Sequence, residues 1–361
     1  MAERASVFEK PRFGVEDTAN PGAPVAATKI LQSLTVEPTP QLPRDPIKAA
    51  GKKRPVGVTS RKQWTDLSFS ASTAYQDGAY LLNGACCIAS VAAISGAAGC
   101  SRLTWLQSGD SADTMATYTI EMGSSVGTAR VPGVRVTDIA FNFTPKEAKI
   151  TAKGIGKRYD ENITLTANPS NVPLIAISPD TVSVYVADTL AGLDDASARM
   201  KRLVSASWGQ SGKQGPIFTL DDTEASFSGT VERAFDMAAQ IVVEQDSQGL
   251  AVMNKMRAKS LFYTRIECIG QDIISGTPYR LRITFISFVS KTQRGDTDDL
   301  YTGTFDLEPC EVVDAFGSGK SGHTLIEMDV PTTFASGMAT ANTALAGYST
   351  SVLTANQANA G

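Results

Sequence analysis

Alternation of apolar and polar residues is the strongest pattern in this chain, and it predicts β-strands in two blocks. The first block contains the alternating segments 67–70, 118–122, 139–143 and 149–152. After residue 200 the pattern returns in residues 225–231, 240–244, 263–268, 279–289, 301–307 and 324–330. Side chains alternate between the two faces of a strand, so these segments are typical of half-buried sheets. An all-β fold with a few short helices is predicted.

Helical periodicity is limited to three segments, residues 75–93, 189–201 and 248–258. The apolar stretch 79–99 overlaps the first of them. It is rich in small residues and is interrupted by Asn83 and three glycines. A membrane-spanning helix would be dominated by larger apolar residues, so we expect a buried helix here.

Two of the predicted strands have similar sequences. Residues 134–141 read VRVTDIAF and residues 281–288 read LRITFISF. Four aligned positions are identical, namely Arg135/Arg282, Thr137/Thr284, Ile139/Ile286 and Phe141/Phe288, and Val136/Ile283 is a near match. This similarity raises the possibility of an internal duplication.

The similarity extends beyond this strand. Residues 117–123 resemble residues 263–270, and a Gly-Thr pair follows each of them before the repeated strand. Residues 149–156 then occupy the place that residues 302–309 hold in the second copy. We interpret the pattern as two similar β-sandwich or barrel domains, residues 63–167 and 201–331, joined by a linker at 168–200. The general resemblance of β-strands to one another is the alternative explanation.

The segments outside these two domains have a different composition. Residues 1–62 contain eight of the 17 prolines and carry 11 Lys+Arg against 6 Asp+Glu. Proline fixes φ and removes a donor, so we expect an extended basic arm. Lys52, Lys53 and Arg54 are its candidate contacts with an acidic neighbour or nucleic acid, although a solvated flexible tail is the alternative. Residues 332–361 are expected to be a flexible tail or a strap onto a neighbour.

Composition and charge are those of a soluble globular protein. The chain has 361 residues, 42% of them hydrophobic and 19% charged, which is enough for two or three domains. The formal net charge is −4, and because residues 1–62 carry +5, the remainder carries −9. No signal peptide is expected, since residues 1–14 lack an apolar core.

Residues with catalytic or ligand-binding chemistry are sparse. His323 is the single histidine, and we expect it on the surface rather than in a triad or a zinc site. Residues 316–322 resemble the end of a phosphate-binding loop, but Asp314 stands where that motif requires glycine. The five cysteines form no framework and are expected to be reduced. Neither an enzyme nor a bound cofactor or metal is predicted.

The order of these features over residues 30–330 resembles the tail tube (major tail) proteins of long-tailed bacteriophages. A proline-rich segment precedes a first β domain, and the phrase ISPDTVSVYVADTLAGLDDASARMKRLVSASW leads into a second. The second domain continues through FSGTVERAFDMAAQIVVEQDSQGL, TRIECIG, YRLRITFISFV and DLYTGTFDLEP.

This resemblance implies a structural virion protein that self-assembles into stacked rings forming a hollow tube for DNA ejection. It implies a host-cytoplasmic protein that enters the virion tail and has the tape measure, tail terminator and baseplate proteins as partners. DNA would pass through the lumen without specific binding, and no membrane is involved. Single-domain relatives form hexameric rings, so a duplicated chain is expected to form a trimer with pseudo-sixfold symmetry, or else a ring of six chains.

The repeated strands supply the candidate residues for a sheet shared between subunits: Val134, Arg135, Val136, Ile139, Phe141, Phe143, Leu281, Arg282, Ile283, Ile286 and Phe288. A sheet edge is unstable unless it is paired, and a ring would pair each edge with the next subunit. Two alternatives remain open. One is another virion protein such as a baseplate hub or decoration protein, and the other is a two-domain β-sandwich that binds carbohydrate or another surface.

Overall fold

The computed structural model describes residues 10–18, 20–123, 127–220, 225–245, 247–297, 300–317 and 322–341. Strands account for 52% of the structure and helices for 13%, which confirms the predicted all-β fold with few helices. The first half of the chain contains α1 (Tyr75–Ala85) and strands β1 (Arg12–Val15), β2 (Lys29–Ile30), β3 (Leu34–Gln41), β4 (Arg44–Ile47), β5 (Gly57–Ser60), β6 (Trp64–Ser72), β7 (Ser90–Ala93), β8 (Cys100–Leu106), β9 (Tyr118–Gly123), β10 (Thr128–Phe143), β11 (Ala148–Gly156), β12 (Asp160–Glu161) and β13 (Ser170–Asn171).

The second half contains two α-helices, α2 (Ser247–Arg257) and α3 (Thr332–Ala341). Its strands are β14 (Val182–Ala187), β15 (Leu203–Ser211), β16 (Gln214–Ile217), β17 (Gly229–Glu232), β18 (Asp236–Glu244), β19 (Phe262–Ile274), β20 (Thr277–Thr297), β21 (Leu300–Pro309) and β22 (Thr324–Pro331). Short 3₁₀ turns occupy Pro179–Thr181, Ala191–Asp194 and Ala196–Ala198.

Eight antiparallel strands from both halves form one continuous sheet, in the order β3-β6-β11-β10-β15-β18-β21-β20. The first four strands belong to the first half and the last four to the second half. The two sets meet where β10 pairs with β15, with Phe141 opposite Trp208. We call these eight strands the main sheet.

The order of elements along the chain is the same in both halves. The first half contains β3, the β4–β5 hairpin, β6, α1, β9, β10 and β11 in this order, with β7 and β8 inserted between α1 and β9. In the second half the corresponding series is β15, the β16–β17 hairpin, β18, α2, β19, β20 and β21. The long strands β10 and β20 each pair with their preceding strand over the first part of their length and join the main sheet over the last part.

A second layer packs over one face of the main sheet. The first part of β10 pairs with β9, and β1, β2 and β13 follow β9 in the same order of pairing. The first part of β20 pairs with β19, which pairs with β14. On its other side β20 pairs with β22, followed by β8 and β7. The β22–β8 pairing links the two halves a second time. Helix α1 is buried against β10, where a Cβ on Gly84 would lie only 2.8 Å from Cγ2 of Val136. Glycine therefore permits this close approach.

Several sequence expectations about local structure were wrong. The predicted helix at 75–93 ends at Ala85 and is followed by β7, and the predicted helix at 189–201 consists of 3₁₀ turns. Helix α2 confirms the third prediction. The segment 1–62 is not an extended arm, since its described part contains the five strands β1 to β5. Two of them join the body of the protein, because β1 pairs with β9 and β3 pairs with β6. The expected linker contains β14, which pairs with β19.

Candidate assembly surfaces

The face of the main sheet opposite the second layer is polar, and we call it the polar face. It consists of Thr35, Glu37, Thr39, Asp66, Ser68, Ser70, Ser72, Asp138, Ala140, Asn142, Lys149, Thr151, Lys153, Ser205, Ser207, Gly209, Ser211, Asp236, Ala238, Gln240, Val242, Glu244, Lys291, Gln293, Gly295, Thr302, Thr304, Asp306 and Glu308. Strand register places these residues side by side, since every second residue of a strand points to the same face.

The polar face is acidic and composed mainly of small side chains. Its charged residues are seven carboxylates and three lysines, Glu37, Asp66, Asp138, Asp236, Glu244, Asp306 and Glu308 against Lys149, Lys153 and Lys291. Alternation and register also place three half-buried residues at the margins of this face: Trp64, whose Nε1 donates to Oδ1 of Asp66 at 3.1 Å, Phe288 opposite Glu308, and Arg135 opposite Ile155. Residues of β6, β10, β11, β15 and β18 line a shallow concavity at its centre. Carboxylates therefore outnumber cationic side chains on this face, and its single marginal arginine provides no cluster of guanidinium groups for a phosphate chain.

The opposite face of the main sheet is mainly apolar at the junction of the halves, where the buried Gln210 opposite Ile139 is a polar exception. Trp208 and Phe141 are completely buried, and their ring centroids lie 6.2 Å apart. Phe143 stacks beside Phe141 at 6.3 Å. Buried aromatic pairs contribute large apolar areas to a core. The β10–β15 junction is therefore stabilised by buried side-chain packing as well as by the backbone hydrogen bonds of strand pairing.

Most of the sequence-derived candidates for the shared sheet lie in this core. Val134, Val136, Ile139, Phe141 and Phe143 are buried on β10, and Leu281, Ile283 and Ile286 are buried on β20. Arg135 is half-buried, and desolvation lowers its pKa. Arg282 donates from Nε to Oε1 of Glu267 at 2.7 Å, and Phe288 is half-buried.

The strand pairings revise the expected role of these residues. β10 is paired on both sides within the chain from Ile139 to Phe143, and β20 is paired on both sides from Arg280 to Phe285. Their backbone groups are already satisfied internally, so these segments cannot pair with a second chain. The two octets also occupy different parts of their long strands, because residues 134–141 reach into the main sheet whereas residues 281–286 lie against β19 and β22.

Two backbone edges of the main sheet remain unpaired within the described residues. β3 pairs only with β6, and β20 from Phe288 onward pairs only with β21. Thr39 and Gln293 are exposed residues at the middle of these two edges. An exposed edge presents unpaired N–H and C=O groups that can accept another strand. Sequence periodicity did not identify these edges because their strand neighbours are not visible in the sequence.

The basic cluster Lys52, Lys53 and Arg54 lies at the turn of the β4–β5 hairpin, and all three residues are exposed. The hairpin also exposes Ile47 and Val58. The role of the basic cluster as a contact with a neighbour stays a prediction, and the cluster belongs to a hairpin rather than to an extended arm. Its counterpart in the second half, the β16–β17 hairpin, is packed against the body of the protein.

Lys213 holds the β16–β17 hairpin in place and was missed by sequence reasoning. Its fully buried Nζ donates to Oδ2 of Asp113 at 2.6 Å, to the Cys86 carbonyl at 2.6 Å and to Oε1 of Gln107 at 2.8 Å. Oε1 of Glu232 lies 3.5 Å away, so two carboxylates balance the buried charge. A single lysine in a Gly-containing turn gives no sequence signal for such a network.

His323 is buried near this network, so the expectation of a surface histidine was wrong. Its ring packs edge-to-face on Phe235 at 5.3 Å. Desolvation, and then the positive charge of Lys213, lower its pKa to about 4. The residue is therefore neutral at physiological pH.

The described residues contain no group of three His, Cys, Asp or Glu side chains placed to hold a metal ion. All five cysteines are free. No described helix is long and apolar enough to cross a membrane. Residues 318–321 of the phosphate-loop-like segment lie outside the described residues.

Comparison with known proteins adds no identity. Neither the protein-family models nor the curated proteins gave a match to this chain. Its function is therefore argued from the geometry of its main sheet.

Proposed function

We propose that this chain is a structural subunit that assembles into rings, and that the rings stack into a hollow tube of the phage tail tube type. The observation that carries the proposal is the β10–β15 junction. There, two four-stranded units with the same order of elements are joined edge to edge inside one chain. The two unpaired edges, β3 and the end of β20, are the counterparts of the two strands that meet at this junction.

A ring forms if each unpaired edge repeats the internal junction with the next chain. Head-to-tail contacts of this kind close into a ring when the rotation per subunit divides a full turn. Three chains of eight main-sheet strands would give a closed wall of about 24 strands, a number that leaves an open channel. Since each chain supplies two four-stranded units, three chains fill the six positions of the single-domain rings that the resemblance implies, and we therefore propose the trimer with pseudo-sixfold symmetry over a ring of six chains.

In such a ring the polar face would line the channel, since the second layer and its core cover the other face. Seven carboxylates against three lysines give this face a net negative charge. Phosphate groups of passing DNA would be repelled rather than held. A conduit for DNA ejection requires this behaviour, because strong binding would retain the DNA in the channel.

Negative-stain electron microscopy of the purified full chain, together with its mass in solution over rising concentration, tests the proposal. Rings or tubes with a central channel are expected. A protein that stays monomeric at high concentration, or that forms compact oligomers without a channel, would contradict it. The five free cysteines should be kept reduced during the measurement so that disulfide-linked aggregates are not mistaken for assembly.

A further inference from the structure

The internal junction between the halves supplies a template for how two chains would meet. Along it, Ala140 lies opposite Gly209, Phe141 opposite Trp208, and Asn142 opposite Ser207. Equivalent residues on the two unpaired edges can be identified from β-bulges and from strand register alone.

A bulge aligns β20 with β10. In β10 the pairing with β11 is interrupted between Val136 and Asp138, and in β20 the pairing with β21 is interrupted between Val289 and Lys291. Each bulge adds one residue at the point where the long strand enters the main sheet. Counting on from the bulge makes Gln293, Arg294 and Gly295 the counterparts of Ala140, Phe141 and Asn142.

Register through the neighbouring strands aligns β3 with β15. Gly154 of β11 lies opposite Leu67 of β6, and Leu67 lies opposite Pro38 of β3. In the second half, Leu307 of β21 is equivalent to Gly154, because each lies opposite the residue just before the bulge. Leu307 lies opposite Ala239 of β18, and Ala239 lies opposite Trp208 of β15. Pro38 is therefore the counterpart of Trp208, and by the same count Thr39 and Glu37 are the counterparts of Gly209 and Ser207.

We infer that the end of β20 in one copy pairs antiparallel with β3 of a second copy, with Gln293 opposite Thr39, Arg294 opposite Pro38 and Gly295 opposite Glu37. This inference rests on the proposed ring, whose contacts it specifies residue by residue. It places Gln293, Thr39, Gly295 and Glu37 on the polar face, continuing that face across the boundary between copies.

The chemistry of the two edges fits an interface that forms after folding. Thr39, Glu37, Gln293 and Gly295 are all exposed in the single chain, in contrast to the buried Phe141–Trp208 pair of the internal junction. Charged and proline residues protect an edge from indiscriminate pairing. The Gln293 amide lies diagonally across from Glu37 in this register, a spacing at which long polar side chains interact.

Proline also determines which pairs along this edge carry hydrogen bonds. Pro38 cannot donate to β6, and proline is tolerated in an edge strand where its missing N–H would point to solvent. Its carbonyl then faces the second copy and accepts from the Arg294 N–H. Thr39 opposite Gln293 becomes a non-hydrogen-bonded pair, in which the side chains lie closest.

Disulfide trapping of the Thr39→Cys/Gln293→Cys variant tests this register. Directly opposed Cβ atoms lie within reach of a disulfide, whereas the matched control Thr35→Cys/Gln293→Cys separates the two thiols by four residues, roughly 13 Å along the strand. Both control positions face the same side, so exposure is comparable. Mild oxidation of the assembled Thr39→Cys/Gln293→Cys protein should give covalent dimers and closed trimers, on the order of tenfold more than in the control.

The outcomes separate the register from the proposed function. Channel-containing rings that cross-link in the control, or in neither variant, would overturn the register while the ring stands. Absence of rings in both variants and in the unmodified chain would overturn the proposed function itself. Each single-cysteine variant, oxidised in parallel, corrects for cross-linking through Cys310, which is half-buried.

Discussion

At the scale of single residues, Lys213 carries an unusual share of the stability for one charged side chain. It is fully buried and its ammonium group bonds to Asp113, Gln107 and the Cys86 carbonyl. Lys213→Met should lower the free energy of unfolding by about 3–5 kcal/mol, because the half-buried Asp113 and Glu232 would lose the buried ammonium group that balances their charge. Urea unfolding measures this loss. The exposed Lys146→Met is the control, and equal stability of the two variants would contradict the role of Lys213.

His323 gives the protein a predictable acid sensitivity. Its folded-state pKa of about 4 lies below the ordinary value of 6.5. Between these values the unfolded chain binds a proton that the folded chain does not, so stability falls as the pH drops from about 6.5 to about 4. The total contribution over this range is about 3 kcal/mol.

A His323→Phe variant should lose this part of the pH dependence, because phenylalanine does not titrate and can keep the packing on Phe235. Thermal unfolding at pH 7 and pH 5 of the unmodified chain and the variant measures the difference. The unmodified chain should lose more stability on acidification than the variant. Parallel losses in both proteins would contradict the assignment, since carboxylate titration is common to both.

At the scale of elements, the β10–β15 junction is the contact that makes one sheet out of two units. Trp208→Ala should cost about 3–5 kcal/mol, because it leaves a cavity beside Phe141 at a site with no solvent exposure. Trp208→Phe should cost less, since it keeps an aromatic ring in the same place. Unfolding by urea with two spectroscopic probes provides the measurement, and a cost below about 1 kcal/mol for the alanine variant would contradict the packing role.

The fold class was accessible from the sequence, since period-two alternation reports half-buried strands directly. The correct partner of each strand was not. Pro38 and Pro40 suggested an extended arm, yet they sit in β3, where an edge position makes proline acceptable. The repeated octets suggested an internal duplication from an alignment that the strand pairing does not support. Both long strands contain Arg, Thr and Ile at alternating positions, and the bulges that set the register have no sequence signature.

The surfaces proposed for assembly were predictable only in part. The charge balance of the sequence predicted a net negative charge for residues 63–361. That carboxylates gather on one face of the main sheet depends on the register of eight strands, which the sequence does not show. Lys213 and His323 looked like ordinary loop residues, since burial by distant segments is invisible in a single sequence. Exposure of Lys52, Lys53 and Arg54 could be read from the sequence because clustered charges are rarely buried.

At the scale of the whole molecule, the charge of the polar face should control how an assembled channel treats DNA. Asp236→Lys combined with Glu308→Lys cancels the difference between seven carboxylates and three lysines on this face. Assembled variant tubes should retain DNA at low salt and release it as the salt concentration rises, because counterion release drives such binding. A gel-shift or co-sedimentation series against salt concentration measures this effect.

The matched control is Asp180→Lys combined with Asp195→Lys, which changes the net charge equally at exposed positions outside the polar face. Tubes of this control should pass DNA as the unmodified protein does. Equal retention by both double variants would show that overall charge, rather than the charge of this face, determines DNA binding.

The number of chains in one ring tests the central claim most directly, because two four-stranded units per chain fill a ring of six such units with three chains. Rotational averaging of electron cryomicroscopy images of the assembled particle gives this number. The account predicts three chains per ring, with six nearly equivalent four-stranded units around a common channel. A ring of six chains, or a particle in which β3 and β20 of neighbouring chains do not meet, would contradict it.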